Sequence, residues 1–172
     1  MNLKISISVA GLLLAISSCG PYSFTGVSTT AQTITIDNFY NNTNLGPANL
    51  NQTFTNELKD YFLQNSSLSI VPAGGELQLS GVISGYRVTQ VAPTASRDPN
   101  EQGTAALSRL TITISATYVN AVDELLSFEN KSFSFYADFD NSQNLTDVED
   151  RLIQDIFDQI VLDIFNASVA NW

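Results

Sequence analysis

Arg109-Leu110-Thr111-Ile112-Thr113-Ile114-Ser115-Ala116-Thr117-Tyr118 alternates without a break between apolar and polar side chains. Successive residues of an extended chain point to opposite faces. Leu110, Ile112, Ile114, Ala116 and Tyr118 therefore share one face, and Arg109, Thr111, Thr113, Ser115 and Thr117 share the other. A strand of this kind belongs to a sheet that packs a core on one side only. The flanking segments carry the same period. Residues 76–91 read as a long strand in which Gly81 and Gly85 suggest a bulge or a close backbone approach. Residues 128–139 alternate again, with Phe133, Phe135, Ala137 and Phe139 on one side. A polar loop over 93–103 and a turn over 120–124 connect the three.

Outside this meander the period changes. Leu50, Phe54, Leu58, Tyr61 and Phe62 recur at helical spacing, so residues 50–65 read as an amphipathic helix with Asn49 or Asn51 as its N-cap. The last segment, 147–168, carries two adjacent i+4 rows: Val148, Leu152, Ile156, Ile160 and Ile164 beside Ile153, Phe157, Val161 and Phe165. That width suits a helix laid on a sheet, and Thr146-Asp147-Val148-Glu149 matches a capping box at its start. A short strand at Thr33-Ile34-Thr35-Ile36 and a weaker one over 68–71 complete the pattern. The fold class expected is α+β: two layers, with a mixed or antiparallel sheet of about four strands and two helices packed on one face.

Composition narrows the function. The chain has 172 residues with 17 Asp plus Glu against 7 Lys plus Arg, for a net charge of −10. Its 44% hydrophobic content is that of a folded domain rather than a disordered chain. Nucleic acid is not an expected partner, since phosphate neutralisation needs clustered cations. His is absent and Cys occurs once, at Cys19, which excludes an internal disulfide, a Cys/His zinc site and any His-based triad. Eleven carboxylates crowd residues 123–163, against Lys131 and Arg151. Nothing in the pattern places two of them beside a cleft with one in an apolar setting, as acid–base work requires. They read more simply as a solvated helix face and strand ends. Asp138, Asp140, Ser142 and Glu149 fall at calcium-loop offsets, but Gln143 stands where the sharp turn needs Gly, and capping accounts for Glu149. No enzyme activity, metal or cofactor is expected.

The N-terminus has its own logic. Met1 to Lys4 is short and cationic, residues 5–16 are apolar, and Ser17-Ser18 precede Cys19. This is the layout of an export signal, and its apolar run is too short to span a bilayer. Ile16-Ser17-Ser18-Cys19 resembles the bacterial lipobox, which implies cleavage before Cys19 and acylation of that residue. The organisation expected is a signal peptide over 1–18, an acylated tether over 19–31 and a single domain over 32–172. Two or three acyl chains would anchor such a protein stably where one would not. Six cations remain after residue 18: Lys59, Arg87, Arg97, Arg109, Lys131 and Arg151. If the strands over 76–91 and 107–119 pair as a hairpin, Arg87 and Arg109 lie near one another and Arg97 lies in the connecting loop. Those three are the candidate anion-binding residues, although Asp98 and Glu101 could neutralise the loop locally.

Several stretches together resemble the LptE family of lipopolysaccharide-assembly lipoproteins. They are Cys19-Gly20 with Tyr22-Ser23-Phe24-Thr25-Gly26, Gln52-Thr53-Phe54-Thr55 with Leu58-Lys59-Asp60, and Leu110-Thr111-Ile112-Thr113-Ile114. Tyr136-Ala137-Asp138-Phe139-Asp140 and Asp155-Ile156-Phe157-Asp158-Gln159-Ile160 extend the likeness toward the C-terminus. The resemblance implies a small α+β domain on the periplasmic side of the outer membrane, held by its lipid anchor. It further implies that the domain plugs the wide β-barrel LptD, helps it fold, and takes part in delivering lipopolysaccharide to the surface. In that setting the hydroxyl face of 109–118 would pack inside a polar cavity; a face open to water is the plainer alternative. A different class of function fits the same layout: a periplasmic lipoprotein that activates a cell-wall synthase or another envelope machine.

Overall fold

The computed structural model describes residues 30–91 and 106–169. Strands β1 (Thr33–Ile36) and β2 (Tyr40–Asn41) precede helix α1 (Leu50–Asn65). After β3 (Ser69–Ile70) come the three long strands β4 (Leu77–Val91), β5 (Leu107–Asn120) and β6 (Phe128–Asp140), and helix α2 (Leu145–Ser168) closes the chain. One turn of 3-10 helix, Glu124–Leu126, sits between β5 and β6. The sheet runs β3-β1-β4-β5-β6. The long meander is antiparallel, while β1 is parallel to both β3 and β4, so the sheet is mixed. Among the described residues this is the expected two-layer α+β architecture with two helices, but the sheet has six strands rather than about four.

β2, the strand for which the sequence carries no periodic signal, has a local cause. β1 and β2 follow the same edge of β4, with Ile36 opposite Leu79 and Tyr40 opposite Val82. Between them the chain leaves the ladder so that Phe39 can enter the core, where its ring meets Phe54 edge-on at 5.0 Å. The Phe39 N–H, taken off the ladder, donates to Thr55 Oγ1 at 3.0 Å. Gly81 makes room for this detour. A Cβ there would stand 2.5 Å from the Phe39 ring and 2.4 Å from the Ser115 carbonyl oxygen. Gly85 has the other suggested role, because the β4–β5 register shifts between Ile83 and Gly85.

The alternation in β5 holds throughout: Leu110, Ile112, Ile114, Ala116 and Tyr118 are all fully buried. Burial lifts the Tyr118 hydroxyl to a pKa of about 12. Over this face, both helical rows of α2 from Leu152 to Phe165 are buried, and α1 contributes Leu50, Phe54, Leu58 and Phe62. The helices lock through edge-on rings, Phe54 on Phe157 and Phe62 on Phe165, each at 5.0 Å. Each such side chain contributes about 1.5–3 kcal/mol by leaving water, so this seam dominates the stability of the helical layer. The α1 range coincides with the expected helix. α2 begins two residues before the expected start, at Leu145 after the N-cap Asn144, which makes no side-chain cap bond. The capping box is thus a correction: Thr146 lies inside the first turn, and Glu149 is turned toward the sheet, where it accepts a hydrogen bond from the Tyr86 hydroxyl.

Candidate functional site

The two helices cover one face of the sheet, and no other described element covers the opposite face. Strand periodicity decides what that face carries. On β5 it shows Arg109, Thr111, Thr113, Ser115 and Thr117, all partly exposed. The register sets Ser132, Ser134 and Tyr136 of β6 opposite Ser115, Thr113 and Thr111. On the other side, Arg87 stands opposite Thr111. The hydroxyls bond to one another and to the strands: Thr113 Oγ1 lies 2.9 Å from Ser134 Oγ, and the Ser134 hydroxyl reaches the Ile112 carbonyl at 3.2 Å. Around the β4 bulge these residues enclose an open cavity of about 460 Å³, lined by Ser84, Gly85, Arg87, Thr111, Thr113 and Ser134 among others. Between Thr111 and Thr117 the surface is lined by hydroxyls and braced by its own hydrogen bonds, and its charges are Arg87, Arg109 and Asp138.

Two of the candidate cations lie on this face, in unlike states. Arg109 is directly opposite Asp138. Its Nε and Nη2 donate to the two carboxylate oxygens at 2.7 and 2.8 Å, a bidentate fork. The guanidinium also stacks on the Tyr136 ring, 3.6 Å from the centroid. The bond to Arg109 holds the Asp138 carboxyl below the usual range, and the same bond raises the guanidinium further. Arg87 is exposed and forms no ion pair with any described residue. The two guanidinium-bearing residues are diagonal neighbours across the β4–β5 ladder, as the hairpin pairing implied, but Asp138 compensates only Arg109. Arg97, Asp98, Glu101 and Cys19 lie outside the described residues.

The calcium-like spacing does not converge on one point. Asp138 faces Arg109, the Asp140 carboxylate accepts the Ser142 N–H at 2.7 Å, and Glu149 is bonded to Tyr86. Burial and the Glu149 carboxylate together push the Tyr86 hydroxyl well above its ordinary range. No cluster of three or more metal-ligating side chains occurs among the described residues.

Sequence reasoning missed Glu57. It sits half-buried where α1 meets α2, beside Asp60, Tyr61, Asp158 and Val161. Its Oε2 is buried without a hydrogen-bond partner among the described residues. Burial, and after it the charge of Asp158, raise its pKa to about 7, with the Gln154 side chain acting the other way. The signal lay in spacing, since Glu57 falls three residues after the buried Phe54 and four before Tyr61, whose ring meets Phe165 of α2.

The chain matches the protein family described as LptE: Lipopolysaccharide-assembly over residues 31–168. Among solved structures it is similar to the hypothetical protein CT253 from Chlamydia trachomatis, at 12% identity and a TM-score of 0.52, covering 82% of this chain and 99% of that one. That likeness is one of fold. A minor lipoprotein from Acinetobacter baumannii gives 0.48 at 10% identity, covering 79% of this chain and 91% of that one. The rare lipoprotein B from Shewanella oneidensis gives 0.45 at 10% identity, covering 79% and 90%. No curated protein matches the sequence.

Proposed function

The chain belongs to the LptE lipopolysaccharide-assembly family, and on that premise we propose that it is an outer-membrane lipoprotein, acylated at Cys19, that plugs an LptD-type β-barrel and assists its assembly. In this reading it takes part in passing lipopolysaccharide to the outer leaflet and catalyses nothing itself. The observation that carries the proposal is the open sheet face. It is long, lined by hydroxyls and cross-linked by their hydrogen bonds, as suits contact with the polar lumen of a wide barrel. Ser and Thr can exchange hydrogen bonds with barrel side chains or with trapped water at little desolvation cost. A charged face would require a matched charge at each position.

Arg87 adds a specific function on this face. A cation without a carboxylate partner among the described residues, beside a hydroxyl-lined cavity, is suited to a phosphate group, which Arg binds in a bidentate fashion. Arg109 is better suited to fixing Tyr136 and Asp138 in place, and Arg97 follows β4 within the same connection between the strands. No helix among the described residues is long and apolar enough to cross a membrane. In this reading the acyl chains on Cys19 supply membrane attachment. The experiment is depletion. Loss of this protein should lower the amount of correctly folded barrel partner, and normal barrel levels in depleted cells would count against the proposal.

A further inference from the structure

Three of the large exposed apolar side chains fall within seven residues of one another at the β5–β6 turn: Val119 is 45% exposed, Val122 50% and Leu125 94%. Scattered apolar residues on a surface are ordinary, but a concentrated group at one tip is not. The turn is built to present them. The Asn120 side-chain oxygen accepts the N–H groups of Val122 and Asp123, and the Asp123 carboxylate accepts the Leu125 N–H at 3.1 Å. A second, independent observation is where the chain enters the domain. The Gln32 N–H donates to the Glu76 carboxylate at 2.6 Å, and the Ala121 N–H donates to the Glu76 carbonyl at 3.0 Å. The start of the domain and the apolar turn are thus joined through one residue at one end of the sheet, and Cys19 lies thirteen residues upstream of Gln32.

We propose that this turn, residues 120–127, dips Val122 and Leu125 into the lipid leaflet that holds the acyl chains of Cys19. The inference rests on the lipid-anchor reading and concerns the anchored protein before it enters a barrel, whose wall would then stand between the turn and the lipid. The occupant is lipid because the anchor brings that end of the domain to a leaflet. The turn itself has no Lys or Arg and carries Asp123 and Glu124, so apolar burial rather than attraction to anionic headgroups drives the contact. Two side chains are too few to hold a domain on a membrane unaided. Their effect is to orient it, fixing which end of the sheet faces the leaflet.

The test uses the acylated protein carrying Leu125→Cys, labelled with a nitroxide and bound to vesicles of phosphatidylcholine and phosphatidylethanolamine. Acylation occupies the Cys19 sulfur, so the new thiol is the sole labelling site. The label at 125 should become several-fold more accessible to oxygen than to a water-soluble nickel complex, placing it below the phosphates. A label at Asn56→Cys, exposed on α1, should keep its solution values. Replacing part of the lipid by phosphatidylglycerol should make the label at 125 shallower. A label at 125 that stays water-accessible on vesicle-bound protein overturns the proposal, as does protection that appears only when a β-barrel partner is added. Reaction of Cys19 itself with the nitroxide shows instead that the anchor reading has failed, and the proposal falls with it.

Discussion

Replacing Glu57 with Gln removes an ionisable group from the seam between α1 and α2 while keeping its size. The wild-type carboxyl has its pKa raised to about 7 from an ordinary 4.5, first by burial and then by the charge of Asp158. The folded protein therefore holds this proton more tightly than the unfolded chain does. Below pH 4.5 both states are protonated and the stabilising effect of the proton is fully present. As pH rises from there to about 7, the unfolded chain ionises first and stability falls; above that range the loss is complete. Taken at about 1.4 kcal/mol per pKa unit, the shift would correspond to about 3 kcal/mol. The group is only half-buried and water screens it, which reduces the expected loss to about 1 kcal/mol. The amide that replaces the carboxyl cannot ionise, so E57Q should match the wild type near pH 4.5 and exceed it by about 1 kcal/mol at pH 8. Urea unfolding reads this directly: with a slope of about 2 kcal/mol per molar, the midpoints should coincide at low pH and separate by about 0.5 M at pH 8. Because the depressed carboxylates Asp138, Asp140 and Glu76 are common to both proteins, the difference isolates Glu57. Equal midpoint differences at both pH values, or a less stable E57Q at pH 8, would refute the reasoning.

Gly81→Ala should cost about 2 kcal/mol or more in thermal unfolding, since its Cβ meets the Ser115 carbonyl at 2.4 Å and the Phe39 ring at 2.5 Å. Gly74→Ala, strained only by a φ of +71° with open space around it, should cost about 1 kcal/mol; a milder effect at Gly81 than at Gly74 would contradict the close-approach argument. Arg87→Ala, Arg97→Ala and Arg109→Ala together should weaken lipopolysaccharide binding, read by pull-down, with the melting temperature nearly unchanged. Arg87→Ala alone should account for most of the loss at the described positions, because Asp138 already engages Arg109. Cys19→Ala should leave a folded protein in the soluble fraction; tight membrane fractionation without any barrel partner would refute the lipobox reading.

Much of the architecture was legible because its signals are periodic. The two-residue alternation of 109–118 defines both faces of β5, and the paired i+4 rows of α2 mark the helix and its buried width. What escaped depends on tertiary contacts. β2 is two residues long and exists because Phe39 leaves the ladder for the core and the chain then returns to the edge of β4. The start of α2 was misplaced because Thr146 and Glu149 have capping spacing, yet the structure directs Glu149 to Tyr86 on β4, 63 residues away. The open face was legible as a row of hydroxyls, and so was the proximity of Arg87 and Arg109. That Asp138 engages Arg109 follows from the β5–β6 register, which no local pattern specifies. Glu57 escaped because its environment comes from α2, far along the chain.

One purification tests the barrel-plug role most directly. With the lipid anchor intact, the protein should be drawn from detergent-solubilised outer membrane together with a large β-barrel in equimolar amount. Recovery without a barrel, or with a cell-wall synthase in its place, would contradict the plug and favour an activator of another envelope machine.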